Sequence, residues 1–206
     1  MAEFAPFICG DTVLDIDGNI YNTLLIDEQC WMAKNLNTGV KLDVTTEPNT
    51  SDAIIEKWCL RDDCDQYGGL YSWNEAMQGS TQEEARGVCP VNWHIPDGND
   101  WTILQRVAME SVGANNVCAD ESGWQCSPAN EVLKSSNFGF NLLYSGYRNA
   151  YVGNPGSISS SSAYYWTSTN MTLSAAFAMN FSNGTWVWHD FQGQKKWGAS
   201  IRCIKN

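Results

Sequence analysis

Residues 163–203 run AYYWTSTNMTLSAAFAMNFSNGTWVWHDFQGQKKWGASIRC. Inside this stretch Phe177-Ala178-Met179-Asn180-Phe181 alternates apolar and small or polar residues. Ser182-Asn183-Gly184 follows, then Thr185-Trp186-Val187-Trp188. Asn-Gly between two alternating runs is the strongest short-range hairpin signal. Ala163–Thr167 before the hairpin and Ala199–Cys203 after it read as further strands, so the chain finishes in a sheet. The same stretch carries nine aromatic residues, Tyr164, Tyr165, Trp166, Phe177, Phe181, Trp186, Trp188, Phe191 and Trp197, and a single acid, Asp190. Rigid aromatics set among Ser, Thr, Asn and Gly have the composition of a paratope: large contact area at low entropic cost, with adaptable hydrogen bonding. The tail therefore reads as a binding surface.

Working back from the tail, residues 11–36 read as a β-meander. Val13, Leu14 and Ile16 precede the Asp17-Gly18-Asn19 turn, Ile20–Ile26 form the next strand, and Asp27-Glu28-Gln29 turns into Cys30, Trp31 and Met32. Residues 37–66 are polar and irregular and read as a loop. Gly68–Trp73 leads into a short helix at Asn74–Met77. Val91–Pro96 reads as a strand, and Asp97–Asp100 supply capping chemistry for a helix from about Trp101 to Ser111. Residues 113–128 read as another loop, Asn130–Lys134 as a helical turn, and the chain after Phe138 as strands only, with Phe140, Leu142 and Tyr144 alternating. Residues 153–162 read as a Gly/Ser/Pro loop. Helices and strands first, then a strand-rich half joined by long loops, give an α+β class. Without a repeat or a linker the expectation is one domain over 1–206, with 1–162 as scaffold and 163–206 as the binding segment.

The net charge of −11 is unevenly placed. Residues 163–206 hold Lys195, Lys196, Arg202 and Lys205 against Asp190, which leaves −14 on the remainder. An acidic body excludes nucleic acid as the main partner, because phosphate binding needs a broad basic footprint. Eight cysteines and two histidines, His94 and His189, show no CxxC or paired His spacing, so neither a metal nor another cofactor is expected. Disulfides are the better reading and imply an oxidising setting. Cys59–Cys64 and Cys118–Cys126 each flank a short polar loop, and Cys89–Cys203 would tie the C-terminus to the middle of the chain. The start, MAEFAPFICG, lacks a charged segment followed by an apolar run. Export is then expected to rely on a leader outside this sequence or on another route, such as a virus particle. No run approaches the ~20 apolar residues of a membrane helix.

The segments DIDGNIYNTLLIDEQCWMAKNL, YGGLYSWNEAM, GVCPVNWHIPDGNDWTIL, GFNLLYSGYRN, YYWTST and ASIRC, in this order, resemble the major paralogous domain first described in Fibrobacter, often called FISUMP. The resemblance runs from about residue 11 to residue 204. It implies a C-type lectin-like fold with two helices, antiparallel sheets, long loops and paired termini, on an extracellular, virion or cell-surface protein. The C-terminal segment is also similar to variable regions of diversity-generating retroelements, carried by phages, bacteria, archaea and archaeal viruses. In these, adenine-specific rewriting diversifies a ligand-binding face on a fixed scaffold. Ala175, Ala178, Trp186, Trp188, His189, Phe191 and Trp197 stand where relatives often show Asn.

On this reading the protein is a non-enzymatic ligand binder whose partner is a protein or glycan on a host or target cell surface, with no membrane insertion. Trp186, Trp188, Phe191 and Trp197 are the expected anchors. His189, Asp190, Gln192, Gln194 and Lys196 would tune hydrogen bonding and charge, and Tyr147, Asn149 and Tyr151 would form the rim. Tyr165, Trp166, Phe181, Ile201 and Cys203 read as framework. The alternative is a fixed adhesin or carbohydrate-binding module of the same fold. Glu47-Pro48-Asn49 matches the tripeptide of calcium-dependent lectins, but it stands early in the chain and lacks the following Trp-Asn-Asp. Asp15, Asp17 and Asn19 read as turn chemistry, and His94 as a packed or hydrogen-bonded histidine. A cysteine-pair oxidase, which the lectin fold also supports, would need reactive thiols.

Overall fold

The computed structural model describes residues 6–114, 123–149, 157–182, 184 and 187–206. The first part of the chain holds β1 (Thr12–Leu14), β2 (Ile20–Ile26), β3 (Gln29–Met32), β4 (Val40–Lys41), β5 (Glu56–Cys59), α1 (Cys64–Tyr67), β6 (Gly69–Tyr71) and α2 (Trp73–Met77). The middle holds β7 (Trp93–His94), α3 (Gly98–Glu110), β8 (Gly123–Gln125), α4 (Ala129–Lys134), β9 (Tyr147–Asn149) and β10 (Ser157–Ser159). The last part is β11 (Ser162–Asn170), β12 (Ala175–Ser182), β13 (Val187–Gln194), β14 (Ala199–Ser200) and β15 (Ile204–Lys205).

These strands form an eight-stranded sheet in the order β4-β5-β6-β14-β11-β12-β13-β8, a five-stranded sheet β1-β2-β3-β15-β7 and the pair β10-β9. Pairing is antiparallel apart from β4 with β5 and β11 with β14. β15 lies between β3 and β7, so the end of the chain completes a sheet begun by its start. The disulfide Cys89–Cys203 locks the same junction.

Local chemistry accounts for the elements. Asp15 accepts from the backbone N–H groups of Asp17 and Asn19 and from the Tyr21 hydroxyl, which closes the β1–β2 turn. Asp97 and Asp100 form a reciprocal capping box that starts α3. Trp101, Leu104, Gln105, Ala108 and Met109 make the buried stripe of that helix. Trp101 lies 5.1 to 6.0 Å from the rings of Trp31, Phe140, Tyr165 and Phe181. Each such ring pair adds about 0.5–1.5 kcal/mol beyond its area burial. One face of the large sheet packs on α3 and α4 through Ala163, Tyr165, Met179, Phe181 and Val187. The other packs on α2 and the meander through Trp166, Ala176 and Ala178. The five framework residues Tyr165, Trp166, Phe181, Ile201 and Cys203 are all buried.

The described residues contain four α-helices rather than two, although only α3 exceeds six residues. The loop expected at 37–66 contains β4, β5 and α1, and part of the loop expected at 113–128 contributes β8 as an edge strand on β13. Phe140 and Leu142 are buried in alternation with exposed Asn141, but residues 140–144 join no ladder. Asn141 has φ +53, and Leu142 N–H bonds to the Leu133 carbonyl instead of to a strand. After the hairpin, β13 runs on through Gln194.

Disulfides join Cys9–Cys30, Cys59–Cys64 and Cys89–Cys203. Cys126 is disulfide-bonded as well; Cys118, its expected partner, lies outside the described residues. This cross-linking fits an oxidising compartment. No helix among the described residues is long and apolar enough to cross a membrane.

Candidate binding face on the C-terminal sheet

The site is built by an irregularity in the β12–β13 ladder. Ala178 faces Phe191 and Asn180 faces Trp188. One residue, Met179, therefore opposes two, His189 and Asp190, which is a β-bulge. Without it, Trp188 and Phe191, three residues apart, would point to opposite faces of the sheet. The extra residue resets the phase, and both rings arrive on one face. The register Trp166–Ala178–Phe191 and Tyr164–Asn180–Trp188 brings Tyr164 to that face too.

Five partly buried rings then form a continuous cluster. Phe191 stands 4.9 Å from Tyr164, 5.9 Å from Trp188 and 6.2 Å from Trp197, the last at 28° between planes. Tyr147 of β9 closes it, 4.5 Å from Tyr164 and 6.0 Å from Trp197. Trp166, buried and bonded through Nε1 to the Tyr71 carbonyl at 2.8 Å, underlies the cluster. Its ring occupies the space over Gly193, where an added Cβ would meet it at 2.6 Å. Asn180 Nδ2 donates to the Tyr164 hydroxyl at 2.9 Å and orients that ring.

The structure divides the expected site residues. Trp188, Phe191, Trp197 and Tyr147 come together. Asn149 shares the face of β9 with Tyr147 by strand periodicity, and Lys196 is exposed in the turn before Trp197. Gln192 and Gln194 are exposed, but they pair with Phe177 and Ala175 and belong to the opposite face of the sheet from Phe191. His189 also leaves the cluster: it is 4% exposed, and its Nε2 lies 2.6 Å from Gln105 Oε1 of α3 and 3.2 Å from Cys126 Sγ. As the strand neighbour of Trp188, His189 points to the opposite face of the sheet, the one that packs on α3. Trp186, Tyr151 and the Asp190 side chain lie outside the described residues. Tyr164 was not among the expected binding residues. Its place one residue before the framework Tyr165 is the signal that puts it on the other face.

The cation beside the cluster is held inward. Lys195 is 7% exposed with Nζ 4.0 Å over the Trp73 ring, and burial lowers its pKa. Among the described residues of this segment, Lys196 is the exposed cation next to Trp197.

The remaining motifs have structural partners. Glu47 accepts from Arg148 Nη2 at 2.7 Å and from Nη1 at 3.3 Å. Arg148 is fully buried and stacks 3.9 Å over Trp58. Asp17 accepts from Gly39 N–H and the Thr38 hydroxyl. His94 packs between β15 and α3, with Nδ1 2.5 Å from Asn206 Oδ1.

No curated protein and no solved structure matches the chain. The family model described as the Fibrobacter succinogenes major domain matches residues 25–205, so the match starts inside β2 and takes in every element after it. Its range includes the whole C-terminal sheet, the bulge and the five rings. The chain belongs to the Fibrobacter succinogenes major domain family.

Proposed function

We propose that this protein is a non-enzymatic ligand binder of C-type lectin type, and that its C-terminal segment is the variable region of a diversity-generating retroelement. The carrying observation is the five-ring cluster of Tyr147, Tyr164, Trp188, Phe191 and Trp197. Four of these rings come from residues 163–203, and a bulge aligns them over a buried framework. Partly exposed aromatics in contact mark an interaction surface, and Trp and Tyr dominate interface hot spots. The ligand is a protein or glycan displayed on a target surface, and the protein acts outside the cell or on a virion.

The test is the triple variant Trp188→Ser, Phe191→Ser, Trp197→Ser, screened with the parent against a panel of candidate cell-surface proteins and glycans. It should keep the far-ultraviolet dichroism and cooperative unfolding of the parent and lose the parent's captured ligand. A variant that fails to fold would make these rings core rather than face.

The stacked ring pair Phe191–Trp197 also favours a second reading, a fixed carbohydrate-binding module. A glycan array with and without Ca²⁺ separates the two, since this reading requires a defined sugar specificity shared by every copy of the gene.

A further inference from the structure

Away from the aromatic cluster, three side chains from three elements converge at the start of α3. They are Glu84 from the segment after α2, His94 from β7 and Asp100 from the first turn of α3, and their ligand atoms all lie within 4.8 Å of one another. His94 is 8% exposed. Its Nε2 is enclosed by protein and makes no hydrogen bond, while Asp100 Oδ2 stands 3.5 Å away.

The other ring nitrogen is committed. Nδ1 lies 2.5 Å from Asn206 Oδ1, and an amide oxygen only accepts. With its proton on Nδ1, the ring presents Nε2 to Asp100 Oδ2 at 3.5 Å. A cation on Nε2, whether a proton or a metal ion, is favoured beside that carboxylate, and the ligand atoms of Glu84 and Asp100 lie close enough to complete a metal site. Metal-bound histidines commonly have this backing, in which the second ring N–H donates to an oxygen and fixes the tautomer. Asp100 is held in the same manner, through Asp97 N–H at 3.1 Å and Gln29 Nε2 at 3.0 Å.

We propose that Glu84, His94 and Asp100 form a binding site for a divalent transition-metal ion, with Zn²⁺ the best fit. One imidazole nitrogen with two carboxylate oxygens matches the ligand chemistry of Zn²⁺, whereas Ca²⁺ takes six to eight oxygens and no nitrogen. Two atoms each about 2.1 Å from a tetrahedral ion stand about 3.4 Å apart, and the observed separation of His94 Nε2 and Asp100 Oδ2 is 3.5 Å. Glu84 is exposed, so the ion enters from its side and keeps the fourth position for water. The bound ion would join the segment after α2, β7 and the start of α3, with the C-terminal Asn206 as support for the ligating ring. Residues 84, 94 and 100 form no paired Cys or His spacing, and only the fold brings them together.

The test is a calorimetric Zn²⁺ titration of tag-free protein, in which His94 and His189 are the only histidines and no described cysteine is free. The expected result is one Zn²⁺ per chain, at least tenfold weaker in Glu84→Gln and absent in His94→Gln. Co²⁺ in the same site should give the intense visible bands of tetrahedral coordination. Glu84 is at the surface, so its variant remains folded and keeps the test decisive. No saturable binding at one equivalent, or equal affinity in Glu84→Gln, would overturn the proposal.

Discussion

Glu47→Ala separates a structural ion pair from a ligand-binding tripeptide. The Arg148 guanidinium is fully buried, whereas the Glu47 side chain is 55% exposed. Arg148 also donates from Nε to the Val44 carbonyl at 2.8 Å, so the pair ties the segment before β5 to β9, the strand that presents Tyr147 to the cluster. Breaking a fully buried pair costs roughly 3–5 kcal/mol, and losing an exposed one about 0–1 kcal/mol. With one partner buried and the other half in water, the expected cost lies between these limits, about 2 kcal/mol. For a chain of 206 residues each kcal/mol shifts Tm by roughly 2–4 °C, which gives a fall of about 4–8 °C. Thermal unfolding by circular dichroism, with and without Ca²⁺, measures it. Glu47→Gln keeps an acceptor and should lose less. An unchanged Tm in Glu47→Ala would refute the ion-pair account. So would Ca²⁺ stabilisation of the parent that disappears in the variant, because Glu47 would then be a metal ligand.

Three further outcomes follow from the packing. Gly193→Ala drives a methyl against the Trp166 ring, 2.6 Å from Cη2, and should cost about 1–3 kcal/mol by overpacking; urea unfolding reads it. The double variant Cys89→Ala, Cys203→Ala opens a link between residues 114 apart in sequence and should lose roughly 2–5 kcal/mol in the same assay. The Gly39 N–H, with help from the Thr38 hydroxyl, holds the Asp17 carboxyl below its ordinary pKa. Its stabilisation is therefore present above the unfolded value of about 3.9 and is lost as pH falls through the lower folded value. Asp17→Asn should flatten the acid limb of a stability–pH profile, by a small amount because the carboxylate is exposed.

Much of the fold was readable because local signals agreed with tertiary demand. The Asp17-Gly18-Asn19 turn, the Asp97 cap and the alternation of Phe177–Phe181 each specify an element by themselves, and all three elements are present. The missed strands share one cause: pairing between distant segments, which leaves little periodicity in a short strand. β4 and β5 hold two and four residues, and β8 is an edge strand three residues long. Residues 140–144 erred the other way, with alternation produced by burial and no ladder behind it. The aromatic face was legible as composition but not as geometry. Strict alternation from Trp188 places Phe191 on the far side, and only the bulge opposite Met179 reverses this. His189 reads as surface from the polar composition around it, whereas alternation from Trp188 puts it on the far face, against Gln105. Glu84, His94 and Asp100 gave no sequence signal because their proximity depends on three separate elements.

The proposed function requires an exchangeable face on a buried framework. The most direct measurement is sequencing of this gene across many genomes of its source population, read beside any template repeat and reverse transcriptase gene. The expected result is substitutions at adenine-templated codons, concentrated at Trp188, Phe191, Lys196 and Trp197, with Tyr165, Trp166, Phe181, Gly193, Ile201 and Cys203 unchanged. Substitutions spread equally over face and framework, or an invariant C-terminal segment, would contradict it.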